Sequence, residues 1–186
     1  MSAARTILPP LLHDGDRLTR EEFLRRWEAM PNLKHAELID GIVHVPSPVS
    51  TKHSDLHIVM SGWIVQYTAH TPGCRAGAEG TWLMEQDAPQ PDIALRILPE
   101  YGGQSRIDGK YTAGAPELVV ELSSSSTAYD LGSKLRLYQR AGVREFLTVL
   151  LEEQRIVWQE LVEGRFRNID PEPDGQLRSR FFPASG

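Results

Sequence analysis

A single cysteine, Cys74, stands in 186 residues, which excludes an internal disulfide and any cysteine-based zinc centre and suits a reducing compartment. A packing role is expected for its thiol. Long apolar runs are missing too. The longest nearly apolar stretch, residues 58–65, is broken by Ser61 and Gly62 and falls far short of the roughly 20 residues that a bilayer crossing needs. No integral membrane protein is expected, and residues 1–12 lack the long apolar core and small-residue cleavage site of a secretory signal, so the expected location is cytoplasmic. Nor is there a surplus of positive charge. Lys and Arg number 20 against 25 Asp and Glu, a formal net charge of −5, so any contact with nucleic acid must rest on local basic groups.

Three catalytic signatures also fail. His53 and His57 share a helical face, but Ser54 stands where the zinc-protease pattern requires glutamate. The serines at 123–126 have no Gly-x-Ser-x-Gly elbow around them. The glycine-rich stretch 98–115 has no Lys-Ser/Thr ending, which a phosphate-cradling P-loop needs.

What is present suffices for one core: 40% of the residues are hydrophobic and 24% charged, over a length typical of one domain. Residues 1–17 and 170–186, rich in Pro, Gly and Asp, are expected to be peripheral to a domain at 18–169. Thr19 followed by Glu22 predicts a helix start near residue 18. Asp40-Gly41 predicts a hairpin between 36–39 and 42–45. Helical spacing of Leu56, Met60, Trp63, Ile64 and Tyr67 predicts a second helix from about 51 to 72. Strands are expected at 81–85, 92–97, 118–122, 145–151 and 155–161, with a helix at 128–141, a long loop at 98–115 and a short last strand opening at Phe166. That order predicts an α/β fold, a mixed β-sheet flanked by helices.

Four side chains are costly where they stand. Glu121 interrupts an apolar strand, where an unpaired carboxylate costs on the order of several kcal/mol unless protonated, paired or metal-bound; strand alternation puts Glu117, Val119 and Glu121 on one face and Leu118, Val120 and Leu122 on the other. Lys134 projects inside the apolar arc formed by Leu131, Leu135, Tyr138 and Ala141. It could snorkel outward, pair with Asp130 one turn earlier, or reach Glu121. Asp92 follows Pro91 at the start of a strand, a place equally common for a turn residue. Glu37 lies in the first hairpin strand, where a cross-strand ion pair would also explain it.

Taken in order, Pro91-Asp92, Glu121 and Lys134 resemble the PD-(D/E)XK nuclease superfamily, the restriction-endonuclease-like fold. More narrowly the chain resembles the bacterial Uma-type restriction-endonuclease family, from Leu18 to Phe166. The likeness rests on Ala36-Glu37-Leu38-Ile39-Asp40-Gly41 with Pro46-Ser47-Pro48 and His53, on Gln90-Pro91-Asp92-Ile93-Ala94, on Pro116-Glu117-Leu118-Val119-Val120-Glu121-Leu122, and on Lys134, Tyr138 and Ala141-Gly142-Val143-Arg144-Glu145-Phe146. It implies a DNA endonuclease with Mg²⁺ or Mn²⁺ as cofactor, metal ligands Asp92 and Glu121 assisted by Glu37, and Lys134 as the catalytic lysine. The superfamily lysine usually stands two residues after the strand glutamate, where this chain has Ser123, so Lys134 would be a migrated lysine reaching back from the helix. Ser125 and Leu147 stand where the family commonly has Pro and Trp. Arg106, Lys110, Arg136, Arg140 and Lys52 are the expected phosphate contacts. The competing expectation is a non-catalytic module binding nucleic acid or protein on the same scaffold. A homodimer is the base-rate expectation.

Overall fold

The computed structural model describes residues 9–123 and 128–182, with side chains described throughout except at 128–131. Its first helix, α1 (Arg20–Glu28), begins where the capping pattern places it. Thr19 is the N-cap and its hydroxyl accepts from the Glu22 N–H, while Glu21 and Glu22 bring negative charge to the positive end of the helix. The hairpin of β1 (Glu37–Ile39) and β2 (Ile42–His44) turns through Asp40 and Gly41, both with positive φ, at 51° and 73°. That pair of angles is what a tight primed turn demands. Ser50 then caps α2 (Thr51–His70) by accepting from the His53 N–H.

The strands that follow are β3 (Cys74–Ala78), β4 (Trp82–Leu83), β5 (Ile93–Ile97), β6 (Arg106–Asp108), β7 (Tyr111–Ala113) and β8 (Leu118–Ser123). Helix α3 (Ala128–Ala141) leads to β9 (Glu145–Leu150), β10 (Arg155–Val162) and β11 (Arg165–Asn168). Six of these strands form the central sheet, in the order β11-β10-β9-β8-β5-β3. Only β8 and β9 run parallel, as the α3 crossover between them requires. Both are buried on both faces, as expected of strands sandwiched between helices. Leu118, Val120 and Leu122 pack toward Met60 and Ile64 of α2, and Val119 packs toward Leu137 and Tyr138 of α3. The alternation expected of residues 117–122 therefore holds, and it turns Glu121 toward α3. Phe23 of α1, Leu38 and Val43 form a separate cluster beneath the hairpin.

Two local expectations are corrected. Strand β3 is unpredicted, because Cys-Arg-Ala-Gly-Ala has little strand propensity; five residues of pairing with β5 hold it at the sheet edge. Residues 98–115 are not a plain loop. They contain a 3₁₀ turn at Pro99–Tyr101 and the β6–β7 hairpin, which turns at Gly109 (φ 61°) and joins the short β4 in a three-stranded sheet. Among the described residues no helix is long and apolar enough to cross a membrane.

Both end segments are tied to the body. Leu12 is buried, and the Gly15 N–H reaches the Val43 carbonyl at 2.8 Å. At the other end Phe182 is buried, and Glu145 of β9 fastens the segment before it. The Glu145 carboxylate has no solvent exposure and accepts from Trp158 Nε1 (3.1 Å), Ser179 Oγ (2.8 Å) and the N–H groups of Arg180 (2.7 Å) and Phe181 (2.8 Å). Truncating it leaves several buried donors without an acceptor. Glu145→Ala is expected to cost about 3 kcal/mol in urea unfolding and to open residues 176–182 to limited proteolysis; an unchanged unfolding midpoint would contradict this latch.

Candidate active site

Sheet register alone brings two of the expected residues together. Ile93 pairs with Val120 in the antiparallel β5–β8 ladder, so the next position places Asp92 level with Glu121. Pro91, buried beside it, fixes the entry to the strand. Asp92 Oδ2 accepts from the Leu122 N–H at 2.7 Å, which locks the carboxylate against β8. The first turns of α2 hold its other side: His53 Nε2 is 3.4 Å from Asp92 Oδ1, and His57 Nε2 donates to the Asp92 carbonyl at 3.0 Å. The two rings stack with centroids 6.2 Å apart. The spacing that invited a zinc reading thus serves one aspartate from two consecutive turns.

Lys134 joins the remaining carboxylates. Its Nζ lies 3.0 and 3.1 Å from the Glu121 oxygens and 3.0 Å from Glu37 Oε1. The ammonium neither snorkels outward nor rests in solvent, since its side chain is 16% exposed, against 12% for Glu37 and 8% for Glu121. Asp130, the other candidate partner, lies outside the described side chains. Glu37 is oriented by the Gln90 N–H, which donates to its Oε1 at 2.7 Å. Gln90 in turn accepts from the Ala36 N–H and donates to Glu79 and Thr81, tying the hairpin to the turn before β5. Tyr138, one turn beyond Lys134 and fully buried, donates its hydroxyl to Glu121 Oε1 at 2.6 Å.

Glu37, Asp92, Glu121 and Lys134, from four separate segments, therefore meet at one end of the sheet. Sequence reasoning missed three supports. Tyr138, Gln90 and His53 enter the family likeness, but the bond of Tyr138 to Glu121, that of Gln90 to Glu37 and the hold of His53 and His57 on Asp92 were not foreseen. The i, i+4 spacing of His53 and His57 was the one usable signal.

The electrostatics of the cluster are unbalanced. Burial pushes the Glu121 carboxyl up from 4.5 to about 8; Lys134 pulls it back, while Asp92 and Glu37 push it further up. Burial works against the charge of Lys134, yet Glu121 and Glu37 hold its pKa above the ordinary lysine value. Burial and the nearby Glu121 likewise hold the Tyr138 hydroxyl well above its usual value, so it stays a donor. Three acidic groups thus face one buried ammonium.

Among the described residues no three His, Cys, Asp or Glu side chains are grouped so as to hold a metal ion as they stand; the ammonium fills the ground between Glu37 and Glu121. The donor chemistry nevertheless fits a hard divalent cation, because the carboxylate oxygens are the ligand type Mg²⁺ and Mn²⁺ prefer and Glu121 has Asp92 and Glu37 as acidic neighbours that push its carboxyl up. The expected phosphate contacts are mostly engaged within the chain. Lys110 pairs with Glu28, Lys52 with Glu152 and Arg136 with Asp40, and Arg140 spans Asp40, Asp87 and Glu85. Arg106 is exposed on β6.

A mixed sheet with helices on both faces, and acidic groups gathered with a lysine at one sheet end, is a restriction-endonuclease-like fold. The chain belongs to the Uma2 family, described as "putative restriction endonuclease", whose family model matches residues 20–185. Its structure resembles the crystal structure of a putative nuclease of the DUF820 group from Anabaena variabilis, with a TM-score of 0.69 at 20% identity, over 89% of this chain and 90% of that one. At that identity the likeness carries the fold. No curated protein matches the chain.

The raised Glu121 carboxyl has a consequence for stability. Its folded pKa, about 8, lies above the ordinary 4.5, so between those values the folded state keeps a proton that the unfolded state has lost. Stability from this group is fully present below pH 4.5, falls as pH rises toward 8, and is flat beyond. Urea unfolding in the presence of a chelator should show this decline in the parent chain and a flatter profile for Glu121→Gln. Parallel profiles would contradict the assignment.

Proposed function

We propose that the chain is a metal-dependent endonuclease that hydrolyses phosphodiester bonds in DNA, using Mg²⁺ or Mn²⁺. The observation that carries this reading is the convergence of Glu37, Asp92, Glu121 and Lys134 at a single sheet end. The family description favours DNA as the substrate, and a free, buried Cys74 is in keeping with a cytoplasmic setting.

In this reading Asp92 and Glu121 would hold the ion, with Glu37 assisting directly or through water; bound there, it would supply charge neutralisation at the scissile phosphate and acidify water. The residues of the chain perform the positioning. His53 and His57 keep Asp92 aimed from α2, Gln90 keeps Glu37 aimed from the turn before β5, and Tyr138 restrains one oxygen of Glu121. Lys134, 3.0 Å from both Glu37 and Glu121, stands where an ammonium would orient the attacking water or steady the negative charge that develops. Exposed ion pairs such as Lys52–Glu152 and Lys110–Glu28 are weak, so polyanionic DNA can draw these lysines away at low salt.

A second reading, a non-catalytic binding module, is favoured by the Lys134 ammonium itself, which lies 3.0 Å from both Glu37 and Glu121 and ties the two carboxylates together. Supercoiled plasmid incubated with purified protein and Mn²⁺ separates the two. Nicking or linearisation by the parent chain, reduced to background in Asp92→Ala and Glu121→Ala and strongly slowed in Lys134→Met, is the expected result. Equal cleavage by parent and carboxylate variants would mark a contaminant, and calorimetry without Mn²⁺ uptake by the folded parent would favour the binding module.

A further inference from the structure

The outward face of α2 lacks the charge that a surface helix normally presents. Between Asp55 and His70 the helix contains no Asp, Glu, Lys or Arg. Ile58, Val59, Trp63 and Val65 are 70, 63, 45 and 55% exposed, while Met60 and Ile64 on the opposite face belong to the core. Single exposed apolar residues are ordinary, but a contiguous stripe marks a contact surface. Apolar surface also continues onto the sheet: Trp63 meets Trp158 edge-on at 5.9 Å, and half-exposed Ile156 lies on the same face of β10 as Trp158.

Gly62 stands in the middle of this stripe. A Cβ built there meets nothing within 4 Å, and its φ is not positive. Neither a turn nor a neighbour within the chain requires glycine, although glycine weakens a helix interior relative to alanine. Its absent side chain does permit a second backbone to approach closely.

We propose that this face docks a second copy of the chain, with α2 antiparallel to its counterpart about a two-fold axis near Gly62. The sequence is self-complementary in that arrangement. About Gly62, Val59 meets the partner's Val65, Ile58 meets the partner's Gln66, and Asp55 falls beside the partner's Ala69 and the partner's His70. Asp55 has no ion-pair or hydrogen-bonding partner among the described residues. His70 Nδ1 is occupied by its own Gln66 carbonyl at 2.9 Å, and Nε2 has no bonding partner among the described residues. The two-fold therefore brings an acidic group to an imidazole at each end of an uncharged seam, as an isologous interface requires. A lipid surface is the poorer occupant, because membrane-lying helices carry Lys and Arg along the polar face and this one has only Lys52, at its first turn.

The proposal is independent of the nuclease reading. Sedimentation equilibrium of the full chain across micromolar concentrations should give twice the 20.9 kDa of the chain, and Ile58→Asp and Val65→Asp should give the monomer mass with unchanged circular dichroism and thermal midpoint. Cys74 is buried, so Gly62→Cys adds the one readily accessible thiol, and mild oxidation should link it into a covalent dimer, whereas Asp55→Cys should not link to itself. A monomeric parent chain, a dimer that survives both aspartate substitutions, or a Gly62→Cys chain that stays unlinked while dimeric would each overturn the proposal.

Discussion

A carboxylate in the middle of an apolar strand must be met by a proton, a cation or several donors, and Glu121 imposes that condition on the rest of the site. It is met from one face of α3, by the Lys134 ammonium and the Tyr138 hydroxyl, and Glu37 on the hairpin shares that ammonium. This explains why a lysine survives on the packed side of a helix and why a tyrosine hydroxyl lies fully buried. The ammonium also couples three elements that the chain order keeps apart: the hairpin, the α3 crossover and β8.

The sheet holds other buried glutamates, and they are satisfied differently. Glu117, just before the same strand, accepts from the N–H groups of Ile97 (2.7 Å) and Gln104 (3.1 Å), and Glu145 accepts from the indole, the hydroxyl and the two main-chain N–H groups that fasten residues 179–181. Donors of the fold occupy both oxygens of each, whereas a main-chain N–H takes one oxygen of Asp92 and one of Glu37. Glu121 is held by a flexible side-chain ammonium and a phenol. In the proposed reading, that difference separates the carboxylates that hold the fold from those that would take an ion.

Much of this was legible in the chain. Strand alternation put Glu121 with Val119, and helical spacing put Lys134 with Tyr138, and both faces turn toward each other as those periods require. Asp-Gly at 40–41 and the Thr19 cap located their elements because each signal has a local physical cause. Nonlocal features were not legible. Strand β3 exists by pairing with β5 rather than by its own composition, and the stretch at 98–115 folds into a hairpin that docks on α1 through the Lys110 and Tyr111 contacts to Glu28. The roles of Gln90 and His57 depend on register across the sheet and on which face of α2 meets β5, which spacing along the chain does not determine.

The proposed function requires that Asp92 and Glu121 can take up a divalent ion although Lys134 rests on Glu121. Anomalous scattering from a crystal soaked in Mn²⁺ tests it most directly. The account predicts a peak bound by Asp92 and Glu121, with Lys134 Nζ withdrawn from the Glu121 carboxylate. A crystal saturated with Mn²⁺ that shows no peak there, with Lys134 still spanning Glu37 and Glu121, would contradict it.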